Sequence, residues 1–132
     1  MMRKLIFCTI ALTAVGLAVP LAQARAAPPT PQTVTLTIRP GPNGNELVSG
    51  ANFAVRPGVP VRVVIENYTH MLHSFDSPQL HVNVAILPGS PTHPHRTVFT
   101  FLSRSSGAIR WYCAVPCGDG YMGGTVYAII ET

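Results

Sequence analysis

The chain has 132 residues, of which 47% are hydrophobic and 11% charged, and its formal net charge is +4. Three of its basic residues fall within the first 26 positions, which leaves six arginines against five acidic residues, a net charge of +1, over residues 27–132. A charge this small gives no support to a nucleic-acid or anionic-membrane surface, so we predict neither partner.

The N-terminal segment has the pattern of an export signal. Two charged residues at positions 3 and 4 precede an apolar run over residues 5–19, and small alanines follow it. The run of about 15 residues is shorter than the roughly 20 that a membrane-spanning helix needs. We therefore predict a signal peptide over residues 1–26 and a mature protein that is periplasmic or extracellular, with no stable membrane insertion.

The chain after this segment begins with a proline-rich stretch. Residues 27–32 read Ala-Pro-Pro-Thr-Pro-Gln, and proline fixes φ and removes an amide donor, which predicts an extended leader. Residues 33–38 then alternate threonine with valine, leucine and isoleucine, the period-two pattern of a half-buried strand. We predict one folded domain over residues 33–132, long enough for a single hydrophobic core.

The rest of the domain contains short β-rich runs and no long helical pattern. Glycine, proline, asparagine and serine clusters separate runs at residues 53–55, 61–66, 82–86, 97–102, 108–113 and 125–130. This spacing predicts an all-β fold, a β-sandwich of seven or eight strands. Two of the loops, residues 68–79 and 113–124, carry side chains suited to binding, and such loops are where binding residues tend to lie.

These two loops contain a set of soft metal-binding side chains. The set consists of His73, Cys113, Cys117 and Met122. Thiolate, thioether and imidazole together favour copper or zinc, and methionine favours copper in particular. Zinc sites commonly use a second cysteine or histidine pair, and the sequence has no second cysteine pair. The donor set therefore indicates copper.

The ordered motifs also resemble a known family. His73-Ser74-Phe75, Pro78, Pro88-Gly89 and the run Cys-Ala-Val-Pro-Cys-Gly at 113–118 are similar to the copper (CuA) domain of cytochrome c oxidase subunit II, over residues 61–130. The resemblance implies a cupredoxin-like Greek-key sandwich. In that family two thiolates bridge two coppers, each copper has a histidine, and a methionine and a backbone carbonyl complete the site. By position, this implies His73, Cys113, Cys117 and the carbonyl of Val115 as ligands.

Two ligands of that family are missing from their expected positions. Tyr121 stands where the second histidine would be, and Gly124 stands where the methionine would be. A phenol with a pKa near 10 is a poor substitute for imidazole, and Met122 can supply the thioether only if the loop is shorter. We therefore predict one copper rather than two, held by His73, Cys113, Val115, Cys117 and Met122. The other histidines, His70, His81, His93 and His95, are interpreted as exposed loop residues.

Two functions follow from these features. The first is an exported copper-binding protein for electron transfer or copper carriage, not a catalyst on its own, with copper and a redox protein or respiratory oxidase as candidate partners. The second is a metal-free cupredoxin-fold binding domain in which Cys113 and Cys117 form a disulfide, as an oxidising compartment favours. The spacing of Asp119 and Glu66 does not place them on one strand face or loop, so the sequence does not indicate acid–base catalysis by this pair.

Overall fold

The computed structural model describes residues 26–117 and 121–130. The predicted signal peptide, residues 1–26, lies outside this part of the chain except for Ala26, and it stays a prediction. Residues 26–31 are exposed and have no regular secondary structure, and the first strand begins at Gln32. Within the described residues, no helix has the length and apolar character needed to cross a membrane.

The described residues form nine strands and two short 3-10 turns. The strands are β1 (Gln32–Pro40), β2 (Glu46–Ser49), β3 (Phe53–Val55), β4 (Pro60–Asn67), β5 (His73–Ser77), β6 (Val82–Ile86), β7 (His95–Leu102), β8 (Gly107–Tyr112) and β9 (Gly123–Ala128), with turns at Pro42–Gly44 and Pro78–Leu80. This confirms the predicted all-β sandwich, with nine strands in place of seven or eight.

The two additional strands, β2 and β5, lack the alternation that identifies the others. β5 reads His-Ser-Phe-Asp-Ser, and all five of its residues are buried. Burial of polar side chains requires hydrogen-bond partners, and β5 finds them within the strand, in β6 and β8, and in the loop after β8. A polar sequence of this kind resembles a loop until its partners are known.

The strands form two mixed sheets. The order is β2-β1-β4-β7 in the four-stranded sheet and β3-β9-β8-β5-β6 in the five-stranded sheet. β1 pairs with β4 in parallel and β3 with β9 in parallel, while the other pairs are antiparallel. β4 places Val61, Val63 and Ile65 on the inner face, where each is fully buried. Period-two patterning therefore packs the two sheets face to face.

Two stacked aromatic rings occupy the core beneath the candidate site. Phe75 of β5 and Trp111 of β8 lie with ring centroids 4.5 Å apart and planes at 10°. The indole Nε1 of Trp111 donates a 2.8 Å hydrogen bond to the carbonyl of Ala51, which satisfies its buried N–H. Because β5 and β8 are neighbours in the sheet, this packing fixes the start of β5 next to the end of β8.

A glycine allows the chain to pass close to the end of β4. A Cβ on Gly89 would overlap the carbonyl oxygen of Asn67 and the amide nitrogen of His95, so no larger residue fits without a backbone shift. The amide of Gly89 donates a 2.8 Å hydrogen bond to the carbonyl of Thr69. The Pro88-Gly89 motif thus holds the loop that leads from β4 to His73.

Candidate metal centre

Sheet pairing brings together side chains that are distant in sequence. His73 is the first residue of β5, and Cys113 follows the last residue of β8. One ring nitrogen of His73 and the sulfur atoms of Cys113 and Cys117 all lie within 4.8 Å of one another. The structure thus gathers three of the five predicted ligands into one cluster.

A single short loop presents both sulfur atoms to one backbone carbonyl. The carbonyl oxygen of Val115 lies 3.6 Å from Sγ of Cys113 and 2.9 Å from Sγ of Cys117. The amide of Cys113 donates a 2.9 Å hydrogen bond to the carbonyl of Met122, which closes the loop at its base. The Cα atoms of the two cysteines are 6.7 Å apart, and their sulfurs are within bonding distance. The loop therefore brings the two cysteines together as a disulfide in this structure.

The His73 ring is fully buried, and its two nitrogens have different surroundings. Nε2 lies 3.0 Å from Oγ1 of Thr69 and 3.1 Å from Oε2 of Glu46. Nδ1 is buried and has no hydrogen-bond partner among the described residues. A buried polar atom without a partner is costly, so Nδ1 has the features of a site for a ligand.

The groups around Nε2 favour one tautomer of His73. Nδ2 of Asn67 donates to the carbonyls of Met71 and Leu87, which fixes the orientation of the amide. Oδ1 of Asn67 therefore accepts, and it receives a 2.9 Å hydrogen bond from the amide of Thr69. The hydroxyl of Thr69 can donate to this oxygen, 2.8 Å away, or to Nε2 of His73. The carboxylate of Glu46 lies 3.1 Å from Nε2 and repels a lone pair on that nitrogen, so it favours the tautomer with the proton on Nε2 and the lone pair on Nδ1.

The electrostatics of the site favour neutral imidazole. Burial lowers the pKa of His73 below its usual value, and the nearby carboxylate of Glu46 acts in the opposite direction with a smaller effect. Neutral imidazole is the form that binds metal ions. The structure thus supplies His73 in the protonation state that a metal requires.

A buried carboxylate anchors the cysteine loop from β5. Asp76 accepts hydrogen bonds from the hydroxyl of Ser74, the side-chain amide of Asn83 and the amide of Ala114, the last at 3.2 Å. The amide of Ser74 donates to Sγ of Cys113 across 3.3 Å. An N–H aimed at sulfur stabilises the thiolate, which is the metal-binding form of cysteine.

Met122 is placed in the core next to the loop. Its side chain is 6% exposed and belongs to the main hydrophobic cluster. It also lines a surface cleft of about 330 Å³ whose other lining residues are Asn45, Glu46, Leu47, Cys117 and Tyr121. Ligation by Met122 and by the carbonyl of Val115 stays a prediction.

The structure accounts for the residues at the two positions where the resemblance would place a histidine and a methionine. Tyr121 is 72% exposed, and its hydroxyl accepts a 3.2 Å hydrogen bond from Arg110, which raises the pKa of that guanidinium. Gly124 packs its backbone against the core. A Cβ there would overlap the carbonyl of Ala51 and lie 2.6 Å from Nε1 of Trp111. A methionine at position 124 is therefore incompatible with this packing.

The other histidines lie outside the cluster. His70, His81 and His93 are exposed, while His95 is half-buried as the first residue of β7 rather than a loop residue. Among the described residues, the metal-binding cluster contains no second imidazole. Sequence reasoning did not identify Glu46, Thr69 or Asp76 as part of the site. The alternation of Ser74 and Asp76 along β5 was a usable signal, but nothing in the sequence links Glu46 to His73.

Comparisons with known proteins bear on the fold. No protein-family model and no curated protein matches the chain. Among solved structures, a chain from a cryo-EM structure of a heme-copper terminal oxidase dimer superposes with a TM-score of 0.51. The two chains are 16% identical, and the match covers 86% of this chain and 80% of that one. A structural match at this level of identity shows a shared fold and assigns no role to any residue. The β-sandwich is consistent with a cupredoxin-like fold.

Proposed function

We propose that this protein is an exported copper-binding protein, which holds one copper ion for electron transfer or copper carriage. His73, Cys113 and Cys117 are the principal ligands, and the Val115 carbonyl and Met122 are weaker ones. The observation that carries the proposal is the gathering of a buried His73 ring nitrogen and two sulfur atoms within 4.8 Å, on a ring whose Nδ1 has no hydrogen-bond partner among the described residues. Sulfur and imidazole donors suit copper better than magnesium or calcium.

The residues around the ligands fit this role. The ring of His73 is fully buried, which excludes water from one side of the site. Sheet pairing and the Asp76 hydrogen bonds hold the histidine and the first cysteine in a fixed relation. Copper, when bound, would supply reversible one-electron redox chemistry. A rigid ligand frame suits that chemistry, because little has to rearrange between oxidation states.

One copper fits the donor set better than two. A two-copper centre needs a second histidine, and the described residues bring no second imidazole into the cluster. Tyr121 points its hydroxyl to Arg110, and Gly124 has no room for a side chain. The likeness in fold to a chain of a heme-copper terminal oxidase supports a respiratory oxidase or another redox protein as the candidate partner.

Copper titration of the reduced protein tests this proposal. We expect one copper per chain, with a visible or near-ultraviolet thiolate-to-metal absorption band. His73→Ala should weaken binding at least tenfold, because it removes a principal ligand. His93→Ala is the matched control, since His93 is exposed and lies outside the cluster. A protein that contains no free thiols as purified and takes up no copper after reduction would contradict the proposal.

The second candidate is a metal-free binding domain with a Cys113–Cys117 disulfide. The bonding distance between the sulfurs favours it, as do Tyr121 and Gly124 at the missing ligand positions. A disulfide in a loop this short contributes about 2 kcal/mol or less through chain entropy. For this candidate, we expect a folded protein with no free thiols as purified. After reduction, it should take up no copper.

A further inference from the structure

The carboxylate of Glu46 is a polar group that the ligand set does not account for. Its side chain is 8% exposed, and Oε2 is buried and receives no hydrogen bond from the described residues. Nε2 of His73 lies 3.1 Å from this oxygen. A buried carboxylate oxygen without a donor is unfavourable, so a compensating positive charge is expected nearby.

Two buried atoms without hydrogen-bond partners thus lie at the His73 ring. Oε2 of Glu46 lies 3.1 Å from Nε2, and Nδ1 is the other nitrogen of that ring. A cation bound at Nδ1 withdraws electrons from the imidazole and makes Nε2–H a stronger donor. The ring then supplies the partial positive charge that Glu46 lacks. Cation binding therefore satisfies both atoms at once.

We propose that Glu46 is a positioning residue of the metal centre. Its carboxylate holds the His73 ring with the proton on Nε2 and Nδ1 free, and it stabilises the positive charge that a bound metal ion brings to the ring. This inference rests on the proposed copper-binding function and extends it to β2, which contributes no ligand. A carboxylate close to the second nitrogen of a ligating histidine raises the basicity of that histidine.

The position of Glu46 gives it a second relation to the site. Glu46 lines the cleft of about 330 Å³ that also reaches Cys117 and Met122. The cleft places the Glu46 carboxylate beside a route from solvent to Cys117. Negative charge in a low-dielectric wall favours the approach and binding of cations, and it favours the more highly charged oxidation state of a bound metal.

Two Glu46 variants test the proposal in the reduced protein. Glu46→Gln keeps the size and an acceptor but removes the charge, and Glu46→Ala removes both. We expect a copper dissociation constant about 10–100-fold higher for Glu46→Ala, the usual effect of losing such a partner. Glu46→Gln should show a smaller loss of affinity and a higher reduction potential. Glu66→Gln is the control, because it removes the same charge from a residue hydrogen-bonded to Tyr68 outside the site.

A measurement without metal separates this inference from the copper proposal. Nitrogen-15 NMR of the His73 ring in the reduced, metal-free protein should show the Nε2–H tautomer, and Glu46→Ala should mix the two tautomers. If the wild-type protein binds no copper, the proposed function fails, and the ring tautomer alone decides the role of Glu46. If both Glu46 variants match Glu66→Gln in affinity, potential and tautomer, Glu46 is not a positioning residue. If Glu46→Ala does not fold, the copper affinity, reduction potential and ring tautomer of Glu46→Gln decide the role of Glu46.

Discussion

The amide of Ser74 donates a 3.3 Å hydrogen bond to Sγ of Cys113. This bond links strand β5 to a cysteine 39 positions later in the chain. Ser74 can do this because its hydroxyl is held by Asp76 and accepts a 2.9 Å hydrogen bond from the amide of Ala114. The register of the sheet, with Asp76 opposite Tyr112, places these groups in contact. The position of the first cysteine therefore depends on a buried polar network in β5.

Removing the carboxylate of that network should destabilise the protein. Asp76→Ala leaves the side chain of Asn83 and the hydroxyl of Ser74 without their acceptor, and removes one acceptor of the Ala114 amide. We expect a loss of about 2–4 kcal/mol in the free energy of unfolding, measured by urea denaturation. Glu66→Ala, which loses one partly buried hydrogen bond from Tyr68, should cost about 1 kcal/mol or less. Equal losses in the two variants would show that the Asp76 network contributes no more to the free energy of unfolding than a single hydrogen bond does.

Positions 121 and 124 should respond differently when the histidine and the methionine that the resemblance implies are introduced there. Gly124→Met requires a side chain where the Ala51 carbonyl and Trp111 already lie, so we expect a strongly destabilised or unfolded protein. Tyr121→His changes an exposed side chain and should alter the free energy of unfolding by about 0.5 kcal/mol or less. Thermal melts followed by circular dichroism compare the two. A stable Gly124→Met protein would disprove the packing argument.

Trp111 should contribute to stability through both its volume and its N–H group. Trp111→Phe leaves a cavity beside Phe75 and removes the donor to the Ala51 carbonyl. We expect a loss of about 2–4 kcal/mol in urea denaturation. Tyr112→Phe, at the next position of β8 and partly exposed, is the matched control and should change little. A loss similar to that of the control would mean that the core tolerates the smaller ring.

Copper should stabilise the reduced protein and not the oxidised one. The ligands are thiolates, and a Cys113–Cys117 disulfide removes them. At a free copper concentration about 100 times the dissociation constant, the gain is about 2.7 kcal/mol. For a domain of this size that corresponds to a rise in melting temperature of about 10 °C or more. An equal rise in the oxidised protein would place the copper at other groups.

Several parts of this protein were predictable from local sequence. Alternating residues predicted β1, and the runs at residues 53–55 and 82–86 coincide with β3 and β6. The soft donors His73, Cys113 and Cys117 were recognisable from residue type and motif order, and the structure brings them together. The strands β2 and β5 were not recognised, because β2 is four residues long with two adjacent apolar residues, and β5 is a largely polar sequence that is buried throughout.

The sequence by itself determined the all-β class, the alternation of β1 and the two sulfurs of the candidate centre, because each depends on residue type and local spacing. Only the tertiary structure placed Glu46 3.1 Å from His73 and left Nδ1 of that ring without a partner. It also showed that Gly124 has no space for a methionine. These features depend on contacts between strands that are distant in the chain, and local hydrophobic patterns carry no record of such contacts.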